Sequence, residues 1–341
     1  MNVNDIVLLA CSTVSSVVMV LGGLLGRSRR KQRVVVSAAP SIPLGVRVRG
    51  LVEYRHVMSQ RTFEVKMPYA PKGFEGSWVC VRLGCGGWGC TYRCEQEGRV
   101  AVFKVPRGLE SIIEEGEVPT VSEKLLKKVI EEAGVLSKLN HPHILRLLGY
   151  SEHIPLLVYE YADYGSMEWQ LSNGWKPSIK DLVLIGVQVS DALRYIHSRG
   201  LVHGDIKPSN IFFVDGIAKL GDFSSLVKLM SQTSTHSRFA YTPGWRAPEQ
   251  VYSDLRRKAI ELGFENRIDV YQLGNLILYM LIGDTIDGED AVDEKQVKDL
   301  VSMVGHEELR NILHQIMKYN PWERPSAEEV VKELRKVYDK L

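Results

Sequence analysis

Two short stretches late in the chain carry residue types from which catalysis is built. The first is His203-Gly204-Asp205-Ile206-Lys207-Pro208-Ser209-Asn210, and the second, Leu220-Gly221-Asp222-Phe223-Ser224, puts Asp222 twelve residues after Asn210. Upstream, Lys104 ends an apolar Ala101-Val102-Phe103 run, and Gly84-Cys85-Gly86-Gly87-Trp88-Gly89 is a glycine-rich turn. Phosphoryl transfer calls for such groups: a cation to neutralise and orient a triphosphate, oxygen ligands for metal ions, and a carboxylate to orient the incoming hydroxyl. Singly, each signal is weak. An Asp-x-x-x-x-Asn pair can cap a turn, a strand-end lysine is ordinarily just solvated, and glycine recurs in turns for conformational reasons alone.

The elements around these residues narrow the reading. Trp78 to Leu83, Cys90 to Cys94 and Arg99 to Lys104 read as three strands, with the glycine-rich turn between the first two. A dinucleotide fingerprint needs a helix directly after its glycines, whereas here a strand follows. A glycine flap on a hairpin, followed by a strand carrying a lysine, instead resembles the ATP-covering arrangement of the eukaryotic-type serine/threonine protein kinase superfamily, in a membrane-anchored, prokaryotic-like form. The resemblance covers residues 76 to 341 with its motifs in order. It implies an α+β, two-lobed fold: a small β-rich lobe over about 76–159 and a larger, mainly helical lobe over about 160–341.

The same resemblance distributes roles. Asp205 would orient the substrate hydroxyl and accept its proton, Lys207 would contact the transferred phosphate, and Asn210 and Asp222 would hold Mg²⁺, with Mn²⁺ as an alternative. Lys104 matches the lysine of the family's VAIK strand. Its partner belongs on the helical run Val121 to Leu139, whose apolar Leu125, Val129, Ala133 and Leu136 recur at helical spacing. Counting back from Asn140-His141-Pro142-His143-Ile144, that partner is Glu132, with Glu131 as the neighbouring alternative. Gly84, Gly86 and Gly89 would cover the ATP phosphates. Leu156 to Ala162 resembles the strand and hinge between the lobes, where the backbone of Glu160 to Ala162 would bond adenine and Tyr159 would guard the back of the pocket. The acidic residues 106–120 have no reading at this level.

Further motifs extend the likeness. Tyr241-Thr242-Pro243-Gly244-Trp245-Arg246-Ala247-Pro248-Glu249 resembles the peptide-docking stretch of serine/threonine kinases, in which Thr242 would bond Asp205 and Lys207. Asp269 would hold the backbone of the catalytic loop, and Arg324 would pair with Glu249. Between Asp222 and Glu249, Ser231, Thr233, Ser234, Thr235 and Ser237 make a hydroxyl-rich segment open to autophosphorylation. Two positions depart from the pattern. Gly204 replaces an arginine that would bind a phosphorylated activation segment, and Ser224 replaces the glycine of DFG.

The N-terminus is of another character. Ile6 to Gly26 is 21 residues without a charge, a helix of about 30 Å if continuous, which suffices to cross a bilayer core. The basic cluster Arg27, Arg29, Arg30, Lys31 and Arg33 follows it and Asp5 precedes it, the reverse of a cleaved signal peptide. Retention of basic residues on the cytoplasmic side predicts a single-pass membrane protein with residues 1–5 outside and the catalytic domain inside. The cluster also accounts for the net charge of +2, since the rest of the chain has 38 basic against 41 acidic residues and excludes a nucleic-acid binder. Ser12/Ser16 and Gly22/Gly26 have the small-xxx-small spacing that supports self-association of membrane helices. Residues 27–75 read as a basic juxtamembrane segment and linker, with short strands around Val46 to Val52 and Thr62 to Met67.

Cys80, Cys85, Cys90 and Cys94 invite a zinc reading, but C-x4-C-x4-C-x3-C straddles two strands and a flap rather than forming tight knuckles. Small strand hydrophobes, or a cross-strand disulfide in a hyperthermophile's protein, are the alternatives, and Cys85 at the flap is placed to act as a redox brake. His141 and His203 read as structural. The expected partners are ATP, protein substrates with Ser/Thr acceptors and the membrane, through residues 6–26. Two competing functions remain: a small-molecule phosphotransferase, which shares the His-Gly-Asp pattern, and an ATP-binding pseudokinase scaffold, suggested by Gly204 and Ser224.

Overall fold

The computed structural model describes residues 45–54, 61–67, 69–228 and 242–341. Period-two alternation builds the smaller lobe, because successive side chains on a strand take opposite faces. In β1 (Thr62–Lys66) Phe63 and Val65 turn inward between exposed neighbours. Trp78 and Cys80 do so in β2 (Ser77–Cys85), Cys90, Tyr92 and Cys94 in β3 (Gly89–Gln96), and Ala101, Phe103 and Val105 in β4 (Arg99–Pro106). With β5 (Leu147–Tyr150) and β6 (Leu157–Glu160) these strands form an antiparallel six-stranded sheet in the order β1-β2-β3-β4-β6-β5. Its core is aromatic: the Trp78 ring lies 5.1 Å from Phe103 and 5.8 Å from Phe74. Trp78 also donates its indole N–H to the Phe74 carbonyl at 2.9 Å, so its polar atom is satisfied despite complete burial.

The acidic stretch between β4 and the next helix finds its reason here. Residues Ser111–Glu114 form a single turn, α1, whose Ile112 and Ile113 are wholly buried in the same core. Glu114 accepts a hydrogen bond from the Tyr92 hydroxyl at 2.6 Å and pairs with Arg82, so the acidic residues cap the sheet.

The four cysteines stand directly opposite one another in the β2–β3 register, Cys80 with Cys94 and Cys85 with Cys90, and each pair is joined as a disulfide. Their sulfurs are therefore spent on each other rather than offered as thiolates to a zinc ion.

Helical periodicity begins with α2 (Glu123–Leu136), between β4 and β5, and dominates the larger lobe. Helix α2 is capped by the Ser122 hydroxyl, which accepts from Leu125 N, and buries Val129, Ala133 and Leu136 as the spacing requires. After β6 come α3 (Met167–Ser172) and the long α4 (Ile179–His197). Short strands β7 (Leu201–Val202), β8 (Ile211–Val214), β9 (Ile217–Leu220) and β10 (Val227–Lys228) carry the loops that matter below. Helices α5 (Pro248–Val251), α6 (Ser253–Leu262), α7 (Arg267–Ile282), α8 (Glu294–Ser302), α9 (Glu307–Ile316) and α10 (Ala327–Tyr338) complete the lobe. In α7 every residue from Ile268 to Leu278 is buried, as expected of a helix at the centre of a core rather than on its surface.

Two upstream segments belong to this unit. β1 pairs with β2, and residues 45–54 lie against the larger lobe with Val48 buried in its core. The folded unit therefore extends upstream of residue 76. Val46 to Val52 form no strand, because their backbone groups bond mainly to side chains of the larger lobe instead of to a neighbouring strand. The expected transmembrane helix at 6–26 lies outside the described residues. Among the described ones, no helix is long and apolar enough to cross a membrane.

Candidate active site

A cavity of about 670 Å³ opens between the lobes. Gly84, Gly86 and Gly89 form one side, Lys104 and Asp222 the inner end, and Glu160 to Ala162 the connection between lobes. This size suits a small-molecule or cofactor pocket. The flap can lie close over it because of one glycine in particular. A Cβ on Gly89 would sit 2.1 Å from the Val105 carbonyl oxygen, so only glycine lets the turn descend onto β4 next to Lys104.

Lys104 reaches the cavity because it follows Val102 on the same face of β4. Its Nζ lies 2.8 Å from Asp222 Oδ1 and 4.6 Å from the centre of the Trp88 ring. The expected ion pair with Glu132 is not formed. Helix α2 holds Glu132 apart from the ammonium, and burial pushes its carboxyl up to about 7, against the pull of Lys104 and with a further push from Asp222. Asp222 moves the other way. Burial raises its pKa, but the Lys104 ammonium bonded to it and the neighbouring Ser224 hydroxyl more than offset that, and the carboxyl ends below its usual range. Ser224 therefore does more than remove a glycine: its hydroxyl helps to hold the Asp222 carboxyl ionised. Asp222 itself takes a left-handed backbone (φ 53°), a strained conformation for a non-glycine residue. The following Phe223 is buried and meets His203 edge to face at 4.9 Å.

Below the cavity, three side chains meet at Asp205. Lys207 Nζ is 2.7 Å from Asp205 Oδ2, the Thr242 hydroxyl donates to Oδ1 at 2.9 Å, and Lys207 also bonds Thr242. Asn210 Nδ2 donates to the Asp205 carbonyl at 2.8 Å and to Oδ2 at 3.2 Å. Asn210 Oδ1 and the Asp222 carboxylate are oxygen donors of the kind hard dications prefer, so these residues fit a Mg²⁺ or Mn²⁺ ion.

The loop carrying Asp205 is suspended from α7. The buried Asp269 carboxylate accepts from His203 N at 2.9 Å, Gly204 N at 2.7 Å and His197 Nε2 at 2.7 Å. Gln272, not singled out by its position in the sequence, accepts from Ile206 N at 2.9 Å and donates to the Gly204 carbonyl at 3.1 Å. Gly204 adopts φ 79°, so glycine suits this turn as an arginine would not. Farther out, Arg324 and Glu249 form a bidentate pair at 2.7 and 2.9 Å with both side chains fully buried. His141 sits 3.4 Å from Asp191, and His203 Nε2 bonds the Gly221 carbonyl at 3.0 Å, both structural placements.

The structure thus brings Lys104, Asp205, Lys207, Asn210 and Asp222 to one cleft and leaves Glu132 beside it, unpaired with Lys104. The Glu160 side chain turns away, bound to Lys219 at 2.7 Å and to Arg146 N, so only its backbone is offered to the cavity. The apolar Val102, Leu145 and Phe212 and the aromatic Tyr54 and Trp169 also wall the cavity, and no sequence motif marks them. Val102 had a signal, its i, i+2 relation to Lys104; the others had none. The hydroxyl-rich residues 231–237 lie outside the described residues.

Comparison with known proteins agrees with this geometry. Residues 79–334 match the protein kinase domain. The chain is 31% identical over 227 residues to the receptor-like kinase TMK4 of Arabidopsis thaliana, covering 62% of this chain and 22% of that protein. It is 26% identical over 263 residues to the serine/threonine-protein kinase PLK4 of Drosophila virilis, covering 73% of this chain and 31% of that protein. The receptor protein kinase WSS1 of Oryza sativa subsp. japonica is 30% identical over 63% of this chain and 23% of its own length. The chain spans only about a quarter of the length of these relatives. With the motifs in order, the two-lobed fold and a domain match over most of its length, the chain belongs to the protein kinase domain family.

Proposed function

We propose that this protein is a serine/threonine protein kinase that transfers the ATP γ-phosphoryl group to protein hydroxyls with Mg²⁺, from the cytoplasmic face of a membrane. The observation that carries the reading is the Lys207–Asp205–Thr242 triangle at the cleft. It joins the Asp205 base to the segment that begins the peptide-docking stretch, an arrangement a metabolite phosphotransferase does not need. A second cavity, of about 560 Å³, runs outward from Lys207 and Thr242 past Trp245 and Tyr279, as a shelf for an extended substrate.

The residues divide the work. Asp205, held by three neighbours, orients the acceptor hydroxyl and takes its proton. Lys207 neutralises charge on the group in flight. Asn210 and Asp222 hold the metal, which when bound supplies charge neutralisation at the phosphate oxygens. Gly84, Gly86 and Gly89 bring backbone over the phosphates, and the backbone of Glu160 to Ala162 meets the adenine edge. Lys104 pairs with Asp222; were Asp222 to hold a cation, the nearby carboxylate that could receive Lys104 would be Glu132, in its ionised form. Retention of all these groups disfavours a pseudokinase scaffold.

Membrane attachment rests on the uncharged residues 6–26 and the basic cluster behind them. The paired cysteines pull the other way, since such pairs persist mainly in oxidising compartments or in hyperthermophile proteins. Protease digestion of sealed vesicles carrying the full chain decides the side: cleavage of the kinase domain only from the cytoplasmic face is expected. For the activity, the full chain is incubated with labelled ATP and Mg²⁺, a generic protein substrate and a panel of metabolites. Label in the protein, lost in Asp222→Asn, is expected. Label in a metabolite alone, or equal transfer by Asp222→Asn, refutes the reading.

A further inference from the structure

The residues upstream of the matched domain are seated on the larger lobe through its own buried polar groups. Gln170, fully buried, uses both ends of its amide on Val52, accepting from its N–H at 2.9 Å and donating to its carbonyl at 2.5 Å. Gln188, also buried, donates to the Val46 carbonyl at 3.1 Å. Asp181 accepts from Arg49 N at 3.0 Å, and the Trp175 indole donates to the Arg49 carbonyl at 3.1 Å. Val48 N donates to the Gly216 carbonyl at 2.8 Å, while its side chain enters the core. Buried amides and indoles without partners are costly, so this lobe folds around residues 45–54 as it would around a strand of its own.

The end of the strap is the informative part. Tyr54 N donates to the Asp163 carbonyl at 3.0 Å, and its carbonyl accepts from the Tyr161 hydroxyl at 3.3 Å, which ties it to the connection between the lobes. Its ring stands edge-on to Trp169 at 4.7 Å. Gly165, in a left-handed turn at φ 66°, leaves the space this ring uses: a Cβ there would lie 3.0 Å from the Tyr54 ring. The half-buried ring lines the same cavity as Lys104 and Asp222, at the end marked by Ala162 and Gly165.

We propose that Tyr54 is a further nucleotide-contacting residue, contributed from outside the matched kinase domain, whose ring walls the outer end of the ATP cavity. The proposal rests on the kinase reading above. Adenine bonds to the backbone of Glu160 to Ala162 put the outer part of the nucleoside beside Gly165, and there the Tyr54 ring supplies an apolar face that Trp169 holds at a fixed angle.

The test uses the full chain and Mg·ADP, with affinity read by calorimetry and ATP kinetics read separately. Tyr54→Ala is expected to weaken ADP binding and raise KM for ATP about fivefold, the size of one aromatic contact, with kcat within about twofold of wild type. Tyr54→Phe, which keeps the ring, is expected to stay within about twofold. Val48→Ala serves as a comparison, since it loosens the strap away from the cleft and is expected to lower thermal stability while leaving ADP affinity nearly unchanged. Unchanged affinity in Tyr54→Ala, or the same loss in Val48→Ala as in Tyr54→Ala, overturns the proposal alone. Failure of the wild-type protein to bind Mg·ADP overturns the kinase reading and this proposal together.

Discussion

The suspension of the catalytic loop from Asp269 yields a quantitative prediction. Asp269 is fully buried, and its two carboxylate oxygens accept three donors: His203 N and His197 Nε2 on Oδ2, Gly204 N on Oδ1. Because a carboxylate only accepts, His197 must carry its proton on Nε2. Asp269→Ala strips all three donors of their acceptor. At about 1–3 kcal/mol for each buried donor left unsatisfied, and with His197 able to rotate toward water, the loss of stability should be about 4 kcal/mol. Asp269→Asn keeps one oxygen, which settles where two donors converge, and turns its NH₂ toward Gly204 N. That variant should lose about 2 kcal/mol. Asp205 follows Gly204 directly, so a loop displaced by about 1 Å should cut kcat by about 100-fold in the alanine variant even under conditions where it stays folded. Urea unfolding followed by tryptophan fluorescence gives the stabilities, and initial rates at saturating ATP give kcat. A loss below about 1 kcal/mol in Asp269→Ala, together with unchanged kcat, would refute the assignment of the loop's position to this carboxylate.

Other perturbations have equally definite outcomes. Removing one partner of the fully buried Glu249–Arg324 pair, as in Glu249→Ala, leaves a buried guanidinium with only the Lys318, Tyr319 and Arg267 carbonyls; thermal or urea unfolding should show a loss of about 3–5 kcal/mol. The Glu132 carboxyl, raised from 4.5 to about 7 in the folded protein, favours folding most when protonated, so its contribution is complete below about pH 4.5 and lost as pH rises through 7. Glu132→Gln should match wild type near pH 4 and exceed it by up to about 3 kcal/mol at pH 8; parallel stability curves would contradict this. The Cys80–Cys94 disulfide closes a loop of 14 residues, and Cys80→Ala/Cys94→Ala should lower stability by up to about 3 kcal/mol on a denaturant curve, with reductant, which also opens Cys85–Cys90, lowering the wild type at least as much.

Much of the site was readable because its parts are close in sequence. Asp205, Lys207 and Asn210 lie within six residues, and a turn of that length brings them together almost regardless of what surrounds it. Lys104 and Val102 share a face through the two-residue period of a strand, and Gly84, Gly86 and Gly89 sit where a hairpin must reverse. The α+β division was equally visible, since alternating apolar residues give way to helical spacing at α2.

What depended on distance through space was not readable. Glu132 was placed by counting, yet whether it meets Lys104 depends on how α2 leans against both lobes, and here Lys104 lies with Asp222. The pairing of the cysteines follows from the β2–β3 register, which a one-residue slip would have destroyed. Gly204 and Ser224 looked like losses; in the fold one supplies a left-handed turn and the other a hydroxyl that favours the ionised Asp222. Residues 45–54 alternate in part like a strand, yet their partners are the buried Gln170, Gln188, Asp181 and Trp175, spread over a lobe that exists only once folded, so no strand forms. Local intervals, fixed by backbone geometry, thus determined which groups do the chemistry, and tertiary packing decided which of them face one another and which segment completes the cleft.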